Sequence, residues 1–189
     1  MDGTASSELA GHLLVATPLL DDPHFRRTVV LLLEHGEDGA VGVVLNRPTE
    51  VPLAEVLGPW DGFVGSPVLW YGGPVAVDSA LALACPEPGV SEPTGFRPVS
   101  ARGLGLVDLD QDPALVRAEL AAVRVYAGYS GWGAGQLEDE VAEGSWYVVD
   151  ALPGDAFTDD PDQLWRLVLR RQGGDLALMA TFPDDPEMN

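Results

Sequence analysis

The stretch TVVLLLEHGEDGAVGVVLN, Thr28–Asn46, decides the fold class of this chain. It holds two apolar runs, Thr28–His35 and Ala40–Asn46, which are rich in β-branched residues and leucine. The polar residues Gly36–Gly39 lie between them, and this spacing predicts a β-hairpin. Because both runs are apolar at nearly every position, we expect other elements to cover both faces of the hairpin.

Apolar runs outside the hairpin predict the other strands and helices. We expect strands at His12–Leu20, Val68–Val75, Ala80–Cys85, Arg124–Ser130, Gly144–Ala151 and Asp175–Phe182. We expect helices at Thr49–Leu57, Asp112–Val123 and Asp160–Gly174, each capped by its first residue. Because strands and helices mix without strict alternation, the predicted fold class is α+β, in a single domain over residues 1–189.

Two segments lack periodic apolar residues. Residues 86–103 contain four prolines and three glycines, so we expect a mobile loop or a loosely held hairpin there. Residues 183–189 are expected to form a polar tail.

The charge of the chain excludes several classes of function. Thirty acidic residues face ten basic ones, which gives a formal net charge of −20, and all ten basic residues are arginines. A field of this sign repels phosphate backbones, so direct nucleic-acid binding is not expected. Without lysine, the chain has neither a P-loop nor a Schiff-base nucleophile.

Cysteine usage and hydropathy predict a cytoplasmic protein. Cys85 is the single cysteine, so an internal disulfide is excluded. No apolar run approaches the roughly 20 residues that span a bilayer, and the first residues do not resemble a secretory signal. The three histidines lack the spacing of zinc ligands, and we expect neither a metal nor a cofactor.

The glycine-rich stretch GYSGWGAGQLEDE, Gly128–Glu140, is the most conspicuous motif. It has no lysine for a P-loop, its glycines miss the Rossmann register, and its last glycine comes one place early for a serine nucleophile elbow around Ser130. We interpret it as a tight corner in which a strand ends at Gly128 and a helix begins near Gly135. Leu137 and Val141 of that helix are expected to point inward.

Four blocks of the chain together match a known family. They are DPHFRRTVVLLLEH from Asp22, GAVGVVLNRP from Gly39, YGGPV from Tyr71 and AGYSGWGAGQLEDEVAEGSW from Ala127. With these blocks the chain resembles the bacterial AlgH/YqgE family over nearly its whole length. The resemblance implies a bent mixed sheet that forms a partly closed pseudo-barrel with helices packed around it, and a cytosolic location. Members have been labelled transcriptional regulators, although no helix-turn-helix is evident here.

The family signature falls on defined positions of this chain. These are Phe25, Arg26, Arg27, His35, Asn46, Arg47, Pro48, Gly72, Gly73, Pro74, Gly128, Tyr129, Trp132, Gly135, Gln136, Leu137 and Glu138. The sequence departs from the family at Leu83–Cys85, where many members carry a Leu-His pair. Any mechanism that uses this histidine is therefore in doubt for this chain.

The main functional hypothesis is a non-catalytic regulatory protein that binds a small molecule or a protein segment. Arginine would supply planar hydrogen bonding, and a partly exposed Trp132 would supply a flat apolar wall. The expected ligand-binding residues are Arg26, Arg27, Asn46, Arg47, Gly72, Gly73, Tyr129, Trp132, Gln136 and Glu138. For Arg47, an alternative role is to pair with a carboxylate of its own chain. The alternative function is an enzyme, such as a hydrolase or a nucleotide-processing enzyme, with Glu138 or His35 as acid or base.

Overall fold

The computed structural model describes residues 9–63 and 67–183. Ten strands are present in this part of the chain: β1 (His12–Ala16), β2 (Val29–Gly36), β3 (Gly39–Val44), β4 (Pro48–Pro52), β5 (Val68–Tyr71), β6 (Val75–Pro86), β7 (Phe96–Pro98), β8 (Gly105–Val107), β9 (Leu120–Gly133) and β10 (Trp146–Asp150). The predicted hairpin is confirmed, since β2 and β3 pair in antiparallel register up to Gly36 opposite Gly39.

Five α-helices accompany the strands. They are α1 (Leu53–Leu57), α2 (Pro113–Val116), α3 (Gln136–Ala142), α4 (Pro161–Gln172) and α5 (Gly174–Met179). Short 3-10 helices cover Gly58–Trp60 and Pro153–Asp155. None of the helices in the described ranges is long and apolar enough to cross a bilayer.

The strands form one mixed sheet in the order β10-β1-β2-β3-β9-β6-β8-β7, with β4 and β5 attached beside this path. All pairs are antiparallel except β5 with β9, which is parallel. The path does not return to its first strand, so the sheet is not closed. The predicted α+β single domain with a mixed sheet and helices packed around it is confirmed, and the sheet of the expected partly closed pseudo-barrel stays open between β10 and β7.

The long strand β9 joins the two halves of this sheet. Its first part pairs with β6, and its last part pairs with β3, where Ala40 lies opposite Trp132. The prediction that a strand ends at Gly128 was therefore wrong. Gly128 adopts a φ of 69° and stays within the strand, because a glycine can bend a strand without ending its pairing.

Two other local predictions were also wrong. Thr49 does not cap a helix but lies in β4, where its hydroxyl donates to the carbonyl oxygen of Leu69 at 2.6 Å, and α1 begins only at Leu53. The segment Asp175–Phe182, predicted as a strand, begins with the helical turns of α5. A turn at Gly173 reverses the chain after α4 and lets α5 pack back on it, so this tertiary contact outweighs strand propensity.

Other boundaries differ only in length. The helix predicted at Asp112–Val123 ends at Val116, because the residues from Leu120 onward pair with β6 as part of β9. Within residues 86–103 lies β7, which pairs as a hairpin with β8 just beyond this region, and the mobility of the region stays a prediction. The predicted tail at 183–189 lies, after Pro183, outside the described residues.

The largest core cluster positions α4 against the sheet. Leu164, Trp165, Val168 and Leu169 of α4 are buried among apolar residues of β1, β2 and β3. Each such side chain contributes about 1.5–3 kcal/mol through burial. The helix predicted from Asp160 is confirmed, since the Asp160 carboxylate accepts from the backbone N–H of Gln163 at 3.3 Å.

Candidate functional site

The site is built around Arg27, which lies two residues before the first residue of β2. Its φ of 59° is unusual for a residue other than glycine and is typical of a position held by its surroundings. The Arg27 guanidinium lies over the Trp165 ring, with Cζ 4.0 Å from the ring centroid. Its Nη2 donates to the carbonyl oxygens of Phe182, at 3.1 Å, and Pro183.

Asn46 holds the backbone of Arg27 in place. Its side chain is buried, its Oδ1 accepts from the backbone N–H of Val29 at 3.0 Å, and its Nδ2 donates to the Arg27 carbonyl oxygen at 2.9 Å. Through these two hydrogen bonds, of which the one from Val29 is buried, Asn46 ties the end of β3 to the start of β2 and holds the backbone of Arg27.

Arg47 follows directly and is half-buried. Within residues 9–63 and 67–183 its guanidinium makes one hydrogen bond, from Nη2 to the Arg26 carbonyl oxygen at 2.5 Å. Burial lowers the pKa of Arg47 from its usual value, and the charge of Asp162 opposes this effect. Four of the five guanidinium N–H groups thus remain for another acceptor. The sequence left two roles open for Arg47, pairing with a carboxylate of its own chain or facing a pocket. The structure places both the Asp162 carboxylate and a pocket beside Arg47.

Helix α4 supplies the opposite wall of the site. Trp165 is anchored in the core, where its Nε1 donates to the Ala16 carbonyl oxygen at 2.8 Å. One residue on, the guanidinium of Arg166 donates to the Ala180 carbonyl oxygen. Between the two walls lies a pocket of about 370 Å³, here called the arginine pocket. It is lined by Arg27, Asn46, Arg47, Pro161, Asp162, Gln163, Trp165 and Arg166.

The described lining of the arginine pocket is rich in arginine, although the protein is strongly acidic. Three arginines and one aspartate are among these described lining residues, in a chain of formal charge −20. Among its described lining residues there is no serine, threonine, cysteine, histidine or lysine. The arginine side chains in this lining are suited to hydrogen-bond an anion.

Gly72 and Gly73 lie against β9 and not in this pocket. A Cβ atom on Gly73 would lie 2.2 Å from the carbonyl carbon of Tyr129, and one on Gly72 would lie 2.3 Å from the carbonyl oxygen of Gly128. Close packing of two backbones therefore accounts for both glycines without a ligand. Tyr129 is partly buried against the main core, and Ser130 is fully buried, with its hydroxyl donating to the Gly72 carbonyl oxygen at 3.1 Å.

Trp132 belongs to a separate aromatic cluster. It is only 6% exposed and packs with Phe25 and Trp146, so the expectation of a partly exposed ring was wrong. Its Nε1 donates to Glu140 Oε2 at 2.9 Å, and the Nε1 of Trp146 donates to the same oxygen at 2.8 Å. Phe25 and Trp146, which bury the ring, are distant from Trp132 in the sequence, so its neighbours in the chain do not reveal its burial.

Gln136 completes this cluster. Its Nε2 donates to the other carboxylate oxygen of Glu140 at 2.9 Å, and its Oε1 accepts from the Gly133 backbone N–H at 3.0 Å. These contacts connect the end of β9 to the start of α3. Gly135, just before the helix, has a φ of 74°, a left-handed conformation that glycine adopts without strain. Leu137 is buried as predicted, and Val141 packs against the same cluster.

The two residues of the enzyme hypothesis contact each other. His35 Nε2 lies 2.8 Å from Glu138 Oε1, and this pair joins the β2–β3 hairpin to α3. A backbone hydrogen bond, and then the hydrogen bond from His35, hold the pKa of Glu138 below its usual value. His35 also lines a second pocket of about 360 Å³ beside Trp132, together with Glu34, Glu37 and Asp38.

The position where the chain departs from the family pattern is apolar. Leu83 is fully buried in β6. Burial, and then the charge of Glu87, raise the pKa of the Cys85 thiol, so little reactive thiolate is present at neutral pH. No group of three or more potential metal-ligating residues occurs in the described ranges.

The predicted ligand-binding residues thus divide between separate locations. Arg27, Asn46 and Arg47 come together in the arginine pocket, whereas Arg26 contributes its backbone carbonyl to Arg47 from the edge. The residues of the glycine-rich stretch and Gly72-Gly73 lie elsewhere. Sequence reasoning missed Asp162, Trp165 and Arg166, since more than a hundred residues separate α4 from Arg47 and only the fold brings them together.

Comparison with known proteins places the whole chain among close relatives. A sequence profile described as AlgH-like matches residues 13–177. A UPF0301 protein of Streptomyces coelicolor is 54% identical over 98% of this chain and 98% of its own length. A UPF0301 protein of Mycobacteroides abscessus is 46% identical over 95% of this chain and 88% of its own length.

Two solved structures share the architecture. The crystal structure of protein DIP2367 from Corynebacterium diphtheriae superposes with a TM-score of 0.86 at 30% identity, covering 96% of this chain and 95% of that one. The solution structure of the AlgH protein from Pseudomonas aeruginosa, also described as UPF0301, gives a TM-score of 0.69 at 31% identity, covering 97% and 98%.

Proposed function

The chain belongs to the AlgH-like family, and from this premise we propose that it is a non-catalytic protein that binds a small ligand in the arginine pocket. The observation that carries the proposal is the convergence of Arg27, Arg47 and Arg166 on one pocket of about 370 Å³. This volume lies in the range of pockets that enclose small molecules.

The walls of the pocket support recognition rather than chemistry. Asn46 and Trp165 are buried and hydrogen-bonded, so the backbone of Arg27 and the ring beneath its guanidinium are both held in position before a ligand arrives. Preorganised donors lose little conformational entropy on binding. The half-buried Arg47 then offers its remaining N–H groups to the ligand.

We place this binding function in the cytoplasm, as a regulatory response to a small molecule. The single cysteine and the absence of a spanning helix in the described ranges support that location. A protein segment with an acidic group is the other partner that the pocket accommodates. Direct binding of nucleic acid is not expected, because the overall charge repels a polyanion.

A thermal-shift screen against metabolites tests the proposal. A ligand that binds only the folded state stabilises it by about 2.7 kcal/mol at a concentration 100 times its Kd. We expect hits among anionic compounds with the natural chain, and their loss in Arg47→Gln and Arg166→Gln. Arg97→Gln is the matched control, since Arg97 is exposed and pairs with Glu34 outside the pocket. A screen without a hit, or hits that survive both pocket substitutions, would overturn the proposal.

A second candidate function is acid–base catalysis by His35 and Glu138, favoured by their 2.8 Å contact. It ranks lower because the described lining of the adjacent pocket has no serine, threonine, cysteine or lysine, and because its carboxylates repel phosphate esters. Hydrolysis of a panel of nitrophenyl esters and phosphates by the purified chain, abolished in both His35→Gln and Glu138→Gln, would support this function.

A further inference from the structure

The chain passes beside the arginine pocket a second time after α5. The guanidinium of Arg166 donates to the carbonyl oxygen of Ala180. The guanidinium of Arg27 donates to the carbonyl oxygens of Phe182, at 3.1 Å, and of Pro183. Because both arginines line the pocket, the chain from Ala180 to Pro183 lies next to it.

The residues that follow Pro183 are rich in acids. They are Asp184, Asp185, Pro186 and Glu187, here called the acidic segment, which lies outside the described residues. Consecutive Cα atoms are about 3.8 Å apart, and each further residue adds at most about 3.6 Å. The carboxylates of the acidic segment are therefore within covalent reach of the pocket whose arginine binds the Pro183 carbonyl oxygen.

The lining of the arginine pocket suits an acidic segment better than that of three other pockets in the described part of the chain. Its described lining holds three arginines and one aspartate. Two of the other pockets have one arginine each in their described lining, and the pocket beside His35 has none and three acids. Guanidinium groups bind carboxylates with two parallel hydrogen bonds, so this pocket is the complementary one.

Arg47 is the donor that we expect to bind the acidic segment. It lines the same pocket as Arg27, is half-buried, and makes one hydrogen bond within the described ranges, to the Arg26 carbonyl oxygen. Partial burial strengthens a charge–charge contact, because less water screens it. Asp162 also lines the pocket and repels a second carboxylate, so we expect a contact that an incoming ligand can displace.

The covalent connection favours this contact further. A group tethered by a few residues reaches an effective concentration in about the millimolar range at its site. A carboxylate that binds an arginine only weakly as a free molecule therefore occupies the pocket when it belongs to the same chain.

We propose that the acidic segment binds in the arginine pocket of its own chain, with a carboxylate at Arg47. The regulatory meaning of this contact rests on the proposed function. The segment occupies the pocket in the absence of a ligand, and a ligand has to displace it.

Nuclear magnetic resonance of the arginine Nε–Hε signals in the full chain, without any added ligand, tests this inference. The natural chain is compared with the neutral-segment variant Asp184→Asn/Asp185→Asn/Glu187→Gln. We expect the Arg47 signal to shift in this variant, with Arg97 and Arg117 unchanged. In the natural chain, the Arg47 signal should move toward its position in the variant as salt is raised to about 1 M, because salt screens the contact.

A matched control removes the same number of negative charges elsewhere. Glu55→Gln/Asp78→Asn/Glu92→Gln changes three exposed acids that are not in the described lining of the pocket. It should leave the Arg47 signal in place. Equal shifts in the two variants, or no shift in either, would overturn the inference. A shift that disappears on tenfold dilution would also overturn it, because the segment would then come from a second copy of the chain.

The outcomes separate this inference from the proposed function. If Arg47 responds to the neutral-segment variant but the metabolite screen gives no ligand, the contact stands and the proposed function fails. If Arg47 does not respond but a screen hit needs Arg47, only the inference fails. If both hold, the same hit should raise the melting temperature more in the neutral-segment variant than in the natural chain, because it displaces no competitor there. Equal increases would contradict displacement.

Discussion

The guanidinium of Arg27 stacks on the ring of Trp165 with 4.0 Å between Cζ and the ring centroid. This contact joins the segment before β2 to α4, two parts of the chain that are far apart in sequence. Trp165 is itself fixed by its hydrogen bond to Ala16 in β1. The two walls of the arginine pocket are therefore tied to each other and to the core, so the pocket exists without its ligand.

The left-handed backbone of Arg27 predicts different stabilities for two substitutions. Arg27→Ala and Arg27→Gly both remove the stacking and the hydrogen bonds of the side chain, but only glycine adopts a φ of 59° without strain. We expect Arg27→Gly to be more stable than Arg27→Ala by about 1 kcal/mol in urea unfolding. Equal stabilities would show that the backbone relaxes and is not held by Asn46.

The carboxylate of Glu140 is predicted to stabilise the aromatic cluster. Glu140→Ala leaves the indole N–H groups of Trp132 and Trp146 without their acceptor, both in buried rings. We expect a loss of about 2–4 kcal/mol in the free energy of unfolding. Glu143→Ala, an exposed change on the same helix end, should stay within about 0.5 kcal/mol. Similar losses in both variants would contradict this role of Glu140.

The glycine at 73 is predicted to be required for the fold. In Gly73→Ala the new Cβ would meet the Tyr129 backbone at 2.2 Å, at a φ of 153°. We expect a loss of about 3 kcal/mol or more in the free energy of unfolding. Gly89→Ala is a matched control, because Gly89 also has a positive φ but has no neighbour within 4 Å among the described atoms. Chemical denaturation of the two variants separates the clash from the backbone strain, and a milder effect at 73 than at 89 would be inconsistent with the close approach.

The lowered pKa of Glu138 predicts a pH dependence of stability. A carboxyl group whose pKa is lower in the folded state stabilises the fold above its usual pKa of 4.5, and this stabilisation is lost as the pH falls through the folded value. Below that pH, the melting temperature of Glu138→Gln should therefore fall less with decreasing pH than that of the natural chain. Melting temperatures that fall equally with pH in the natural chain and in Glu138→Gln would contradict the prediction.

The sequence predicted the elements whose signals are local. The hairpin from Thr28 to Asn46 consists of two apolar runs joined by one polar turn, and α4 carries both an Asp160 cap and an apolar face. Both appear in the structure because their own residues specify them. The sequence also selected Arg27, Asn46 and Arg47, which the structure brings together in the arginine pocket.

The remaining parts depend on contacts between distant residues. Thr49 has the chemistry of a helix cap, but pairing of β4 with β5 places it in a strand. Trp132 lies between glycines, yet Phe25 and Trp146 bury it from other elements. Arg166 shows no local sign of binding, and only the packing of α4 on the sheet brings it to the pocket. No pattern within a single segment contains this information.

Nuclear magnetic resonance of the arginine side chains tests the central claim most directly. The Nε–Hε signals of the full chain would be followed during titration with an anionic compound found in the metabolite screen, and assigned through the arginine-to-glutamine variants. Binding in the arginine pocket predicts saturable shifts for Arg27, Arg47 and Arg166, with Arg97 and Arg117 unchanged. Shifts of similar size at all arginines, or shifts confined to residues outside the pocket, would contradict it.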